Sequence, residues 1–126
     1  MRVMLDSTFL IDHLRGDRAA IDRFASFFEV GDEPFVNLVG VCEVESGLRP
    51  AEEPAFVALL RAVEFVQAGP EAARDAGRWR REAIRRGGFL SVPDALIAAE
   101  AHHVGAAVLT RNERDFTLTP VRVLTY

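Results

Sequence analysis

Residues 2–15, RVMLDSTFLIDHLR, read as a short apolar strand, one acid and then an amphipathic helix. The run at 2–5 carries three consecutive apolar side chains and no turn former, as a strand buried on both faces does, and it ends at Asp6. Ser7 or Thr8 is placed to cap a helix over about 8–15, with Leu10, Ile11 and Leu14 on one face. Gly16 ends that helix.

The alternation continues outward from this opening. Asp17 can cap a second helix to about Phe28, in which Ile21, Phe24, Ala25 and Phe28 keep the i, i+3, i+4, i+7 spacing of a buried face. A turn over 31–34 leads to a strand at 35–38. A helix follows from Gly40 to about Leu48, with Val41, Val44 and Leu48 inward, and residues 49–54 form a loop. Residues 55–63 read as helix and 64–67 as a further strand. Pro70 suits the first turn of a long helix to Arg86, which stops at Gly87-Gly88. Pro93 opens the next helix, to about Val104. Residues 106–109 are a compact apolar strand, 110–116 a polar loop and 121–124 a last strand. Short apolar strands alternating with helices predict an α/β fold, three layers (α/β/α) around a short central parallel sheet, in a single domain over 1–126.

With 126 residues and 49% hydrophobic content, the chain can fill one core. Charged residues make up 27%, the composition of a soluble globular protein. No apolar run is long enough to span a bilayer, and Asp6, Asp12 and His13 interrupt the N-terminus where an export signal needs an apolar stretch. Cys42 is the single cysteine, so no disulfide can form within the chain, which fits the cytoplasm. The net charge is −4, so any affinity for nucleic acid must come from a local basic patch or from metal ions. All 15 basic residues are arginine.

In an open parallel sheet, ligands bind beyond the C-terminal ends of the strands. Asp6 ends the first strand and Asp115 lies in the loop after 106–109. Asp94 follows Pro93 in the first turn of its helix, where the helix dipole alone would favour a carboxylate. It also shares a stripe with Ile97, Ala98 and Ala101, however, and an idle carboxylate on an apolar stripe is costly to desolvate. Glu43 stands among Val39, Val41, Cys42 and Val44 in the same way. Carboxylates gathered in one cleft repel one another unless a cation lies between them. Mg²⁺, an ion that prefers oxygen ligands and retains waters, suits such a site and can activate water beside a phosphodiester.

Four segments resemble PIN-domain ribonucleases, and the VapC toxins of type II toxin–antitoxin systems in particular. LDSTFLIDHLRG at 5–16 is similar to the opening of that family, and VNLVGVCEVESGL at 36–48 to the helix that bears its glutamate. SVPDALIAAEAHHVGAAVLTRNERDF at 91–116 resembles the helix bearing its third acid, joined to the strand and loop that end the site. The resemblance covers essentially the whole chain. It implies a PIN fold and Mg²⁺-dependent cleavage of structured RNA (tRNA or rRNA), with Mn²⁺ as the alternative ion. Asp6, Glu43 and Asp94 then match the three core acids, and Ser7 the hydroxyl that positions the first acid or a water. Thr110 and Asn112 stand as supporting residues. Some family members carry Asp where this chain has Asn112. Either Asp115 supplies that charge or Asn112 binds through its amide oxygen. The resemblance also implies a small antitoxin as partner, a homodimer and an antitoxin arginine entering the acidic cleft.

Arg74, Arg78, Arg81 and Arg85 recur along one stripe of the long helix, joined by Arg80 and Arg86. The stripe is either a phosphate-contacting surface or a solvated face paired with acids such as Glu71 and Asp75. Arg111 and Arg114 lie nearer the acids and are the better candidates for touching RNA. His102 and His103 point to different faces and read as surface and capping residues, Asp12 as a solvated helix charge, and Cys42 as a small buried hydrophobe. Trp79 and the nine phenylalanines are expected in the core or at interfaces.

A phosphotransfer domain also places Asp over Mg²⁺, but such domains hold the phosphoryl group with a lysine and this chain has none. The Asp-x-Asp signature is absent too, because residue 8 is Thr. A catalytically inactive PIN module is the other reading. The intact Asp6, Glu43 and Asp94 oppose it.

Overall fold

The computed structural model describes residues 1–126. Five parallel strands, β1 (Arg2–Leu5), β2 (Glu33–Asn37), β3 (Glu64–Val66), β4 (Ala106–Leu109) and β5 (Val123–Leu124), lie in the order β3-β2-β1-β4-β5. Six helices connect them: α1 (Ser7–Leu14), α2 (Arg18–Val30), α3 (Leu38–Ser46), α4 (Glu53–Ala62), α5 (Gly69–Arg85) and α6 (Val92–His103). Alternation along β1 divides the core. Val3 and Leu5 join Val36 and Leu109 on one face, packed on Phe9, Leu10, Phe27, Val44, Phe56 and Leu59 of α1–α4. Met4, Ala106 and Val108 face the other way, onto Ile97, Ala98 and Ala101 of α6. Beyond α6, α5 packs through Ala72, Ala76 and Ala83. The expected three-layer α/β/α order with a parallel sheet is therefore the observed one.

Local differences have local causes. α2 turns Ala20, Phe24 and Phe27 inward, whereas Ile21 and Phe28 stay 38% and 54% exposed. Both sets follow helical spacing, and the seating of α2 against α1 selects between them. Glu33 and Pro34 belong to β2 rather than to a turn, because Gly31 alone, at φ 77°, ends α2 in the left-handed region. α3 begins at Leu38, before Gly40, because the Asn37 side chain caps it by accepting from Gly40 N–H at 3.0 Å. α4 begins at Glu53, and β5 is shortened to Val123–Leu124. The polar loop after β4 contains a 3₁₀ turn, Glu113–Phe116, whose Phe116 is buried. Cys42 is exposed, not buried, since α3 turns Val44 to the core and Cys42 away from it. No helix is long and apolar enough to cross a membrane.

Candidate active site

The strand order reverses at β1. The chain runs outward from β1 to β2 and β3, then returns to place β4 on the other side of β1. The carboxyl ends of β1 and β4 thus flank a topological switch point, where open α/β sheets form crevices. Asp6 follows β1 and donates its backbone N–H to Leu109 O at 3.1 Å, which locks the two strand ends together. It occupies the N-cap position of α1, in place of the expected Ser7 or Thr8, yet its carboxylate makes no capping bond. Instead Asp6 Oδ2 accepts from Thr110 Oγ1 at 2.7 Å and from Thr8 Oγ1 at 3.1 Å, and no side chain donates to Oδ1. Asp6 is only 3% exposed. Burial raises its pKa above the usual carboxylate value. Thr110, the Ser7 backbone and Thr8 oppose that rise, and the charge of Asp115 adds to it.

Glu43 on α3 and Asp94 on α6 lie close enough to Asp6 for its charge to act on both. Burial raises the Glu43 pKa, Ser7 opposes this, and the charges of Asp6 and Asp94 raise it further. The Ser7 approach leaves Glu43 Oε1 outside hydrogen-bond geometry: that oxygen is buried without a partner. Asp94 sits in the first turn of α6, and its N–H donates to the capping Ser91 Oγ at 3.2 Å. Burial raises its pKa, Ser91 opposes, and Asp6 and Asp115 repel it. Asp115 lies exposed in the 3₁₀ turn after β4. The sheet thus places Asp6 and Asp94 each within electrostatic reach of Asp115, and Glu43 within reach of Asp6 and Asp94. The enclosed hollow between α1 and α3, lined by Ile11, Leu14, Val44 and Leu48 among others, contains none of these four acids.

The supporting residues divide. Thr110 is fully buried against Asp6, whereas Asn112 is exposed and uses its backbone N–H to bond Thr110 Oγ1 at 3.0 Å. The sequence pointed to Ser7 as the hydroxyl beside Asp6 and gave Thr8 only as a cap, whereas Thr8 joins Thr110 as a side-chain donor to Asp6. Arg111 is held by Asp12 and Asp17, so Asp12 is a paired residue and not a free charge. Arg114 is exposed, and its carbonyl accepts the Thr117 hydroxyl. On α5, Arg78 pairs with Asp75 and Arg85 with Glu82, while Arg74, Arg78 and Arg81 line an open groove with Gly77. His103 bonds across to Asp75 at 2.6 Å, and His102 meets Trp79 edge-on. Glu100 was passed over. It is a buried carboxylate that accepts from Asn37 Nδ2 at 3.0 Å and Ala68 N–H at 2.7 Å.

The PIN-domain family model matches residues 3–120. The chain belongs to the PIN-domain family. This PIN domain is also homologous to VapC ribonucleases. It is 33% identical over 117 residues to "Ribonuclease VapC19" of Mycobacterium tuberculosis, covering 93% of this chain and 94% of that one. It is 32% identical over 116 residues to "Ribonuclease VapC10" of the same species, covering 92% and 86%. Among solved structures, VapBC2 of Rickettsia felis bound to a DNA fragment from its promoter is similar, with TM-score 0.83 and 15% identity over 100% and 99% of the two chains. A toxin–antitoxin complex from Klebsiella pneumoniae is similar with TM-score 0.79 and 25% identity over 98% and 96%.

PIN nucleases generally use a divalent metal. The donor set here is all oxygen, and the carboxylate pKa values are raised first by burial and then by neighbouring acids. The unpartnered Glu43 Oε1 is an oxygen ready for a cation or its water. No three acidic side chains close on a single point as a ready-made cage.

Proposed function

We propose that this chain is the toxin of a type II toxin–antitoxin pair, a Mg²⁺-dependent endoribonuclease that cuts structured RNA, tRNA or rRNA, as a single PIN domain over 1–126. The observation that carries the reading is the set of buried or half-buried carboxylates Asp6, Glu43 and Asp94, whose pKa values burial and neighbouring acids including Asp115 raise, in a PIN fold. Carboxylates so arranged are stabilised by a divalent cation. Asp6 and Asp94 would hold Mg²⁺, or Mn²⁺ in its place, with Glu43 and Asp115 taking its waters. When bound, the ion supplies a more acidic water and offsets charge on the phosphodiester.

The residues around it have separate tasks. Thr110 and Thr8 fix one oxygen of Asp6, which leaves the other facing the crevice. Ser7 steadies Glu43. Asn112 holds Thr110 through its backbone, which makes Asp115 the better source of the fourth charge. Glu43, drawn toward neutrality by burial and its neighbours, is suited to take a proton from water. Arg114 and the groove arginines Arg78 and Arg81, with Arg85, are the RNA-contacting candidates, and Arg111 belongs to that group only if it leaves its acid partners. The partners are a VapB-like antitoxin, in keeping with the toxin–antitoxin complexes among its structural neighbours, and a second copy of the chain. The compartment is the cytoplasm.

The test is cleavage of total tRNA and rRNA by purified protein with Mg²⁺, with EDTA and after Mg²⁺ is restored. Cleavage should follow the metal. Equal cleavage in EDTA would sink the metal-dependent mechanism. No cleavage under any condition would favour the inactive interaction module.

A further inference from the structure

The loop that carries Asp115 is tied down at its second residue. The Arg111 N–H donates to Thr8 Oγ1 at 3.3 Å, and that hydroxyl is itself bonded to Asp6. The Arg111 guanidinium spans two helices: Nε lies 3.2 Å from Asp12 Oδ2 on α1, and Nη2 lies 3.3 Å from Asp17 Oδ1, the cap of α2. Its centre stands 4.5 Å from the centroid of the Tyr126 ring. The Tyr126 hydroxyl donates to the same Asp12 oxygen at 2.6 Å, and its ring meets Phe9 edge-on at 4.9 Å.

We propose that Arg111, clamped by Asp12, Asp17 and Tyr126, is a positioning residue that sets how Asp6 and Asp115 meet the cation. The proposal rests on the metal-dependent reading above. Arg111 adjoins Thr110, the closest donor to Asp6, and precedes Asn112, the N-cap of the turn that carries Asp115. A shift of the clamp therefore moves two of the four acids at once. Using Arg111 to bind RNA would break both ion pairs and the ring contact. The ion pairs are about half exposed, and water screens pairs of that kind, so they add little to global stability. Geometry, not folding, is what they control. Lysine cannot replace the fork, since one ammonium does not reach two carboxylates and a ring together.

The experiment is Mn²⁺ titration calorimetry, with amide exchange over residues 110–116 and steady-state RNA cleavage. It compares the parent, Arg111→Ala, Arg111→Lys, Tyr126→Phe and, as a control, Arg18→Ala, which loses only an exposed pair with Asp22. Loss of outer partners of metal ligands typically costs 10–100-fold, so Mn²⁺ affinity should fall roughly 10-fold in both Arg111 variants and less in Tyr126→Phe. Exchange should quicken over 110–116, KM for RNA should hold and the control should match the parent. Parent-like Mn²⁺ affinity with a raised KM would make Arg111 an RNA contact and overturn the proposal. Should Arg111→Ala fail to fold, Tyr126→Phe decides, since it keeps the ring and removes only the hydroxyl: parent-like affinity and exchange there overturn the clamp. A parent that binds no Mn²⁺ sinks the nuclease reading itself, a separate result.

Discussion

The side chains that make the crevice acidic are the ones whose expense was visible in the chain. Asp94 and Glu43 sit on apolar stripes, and Asp6 ends a strand; all three are carboxylates whose pKa is raised by burial and, to a lesser degree, by neighbouring acids, Asp115 in the case of Asp6. Asp6→Asn or Asp94→Asn should reduce RNA cleavage more than roughly 100-fold, the upper effect of merely outer partners, without unfolding the protein. The same substitutions remove repulsion, so metal-free Asp94→Asn should melt about 2–5 °C above the parent. Calorimetric melting with EDTA checks this, and a lower Tm would contradict the repulsion. The pH dependence has a definite sign. Acids raised in the folded state bind more protons there than in the unfolded chain, so their contribution to stability falls as pH rises from 3.8 for Asp6 and Asp94, and from 4.5 for Glu43, through their folded values. Saturating Mg²⁺ should flatten that decline, as read by Tm against pH. Thr8, Tyr126 and Glu100 were not legible, because their partners lie 32 to 114 residues away or, for Thr8, because its neighbour Ser7 had the same chemistry.

Helices and strands were readable in kind and order, and what remained open was rotation and register. α2 shows why: Ile21 with Phe28 and Ala20 with Phe27 are both helically spaced pairs, and only contact with α1 and the sheet chooses. The start of α3 was missed because Asn37 closes β2 and caps the helix at once. Glu100 joins three elements: it holds the Asn37 side chain at the end of β2 and the Ala68 N–H before α5 from its place on α6. Glu100→Ala should cost about 2–4 kcal/mol by leaving two donors unpaired, whereas Glu100→Gln should cost less. Denaturant unfolding measures both, and equal stabilities would show the pairings to be incidental.

Across the whole molecule, the parallel order β3-β2-β1-β4-β5 brings acids spread over 110 positions of sequence near enough for Asp6 and Asp94 each to feel Asp115, and Glu43 to feel Asp6 and Asp94. Adding Mg²⁺ or Mn²⁺ should raise Tm, and Asp6→Asn should abolish that rise. Production of the parent without its partner should arrest the host cell, and Asp94→Asn should not; healthy growth with abundant folded parent would count against toxicity. The sheet order also dictates timing. β1 is synthesised early yet sits in the middle, and its neighbour β4 begins only at Ala106. The bond from Thr110 to Asp6 crosses 104 residues, so the crevice cannot close while the chain is still short. A chain cut short before Ala106 would lack both the strand that pairs with β1 and the hydroxyl that holds Asp6.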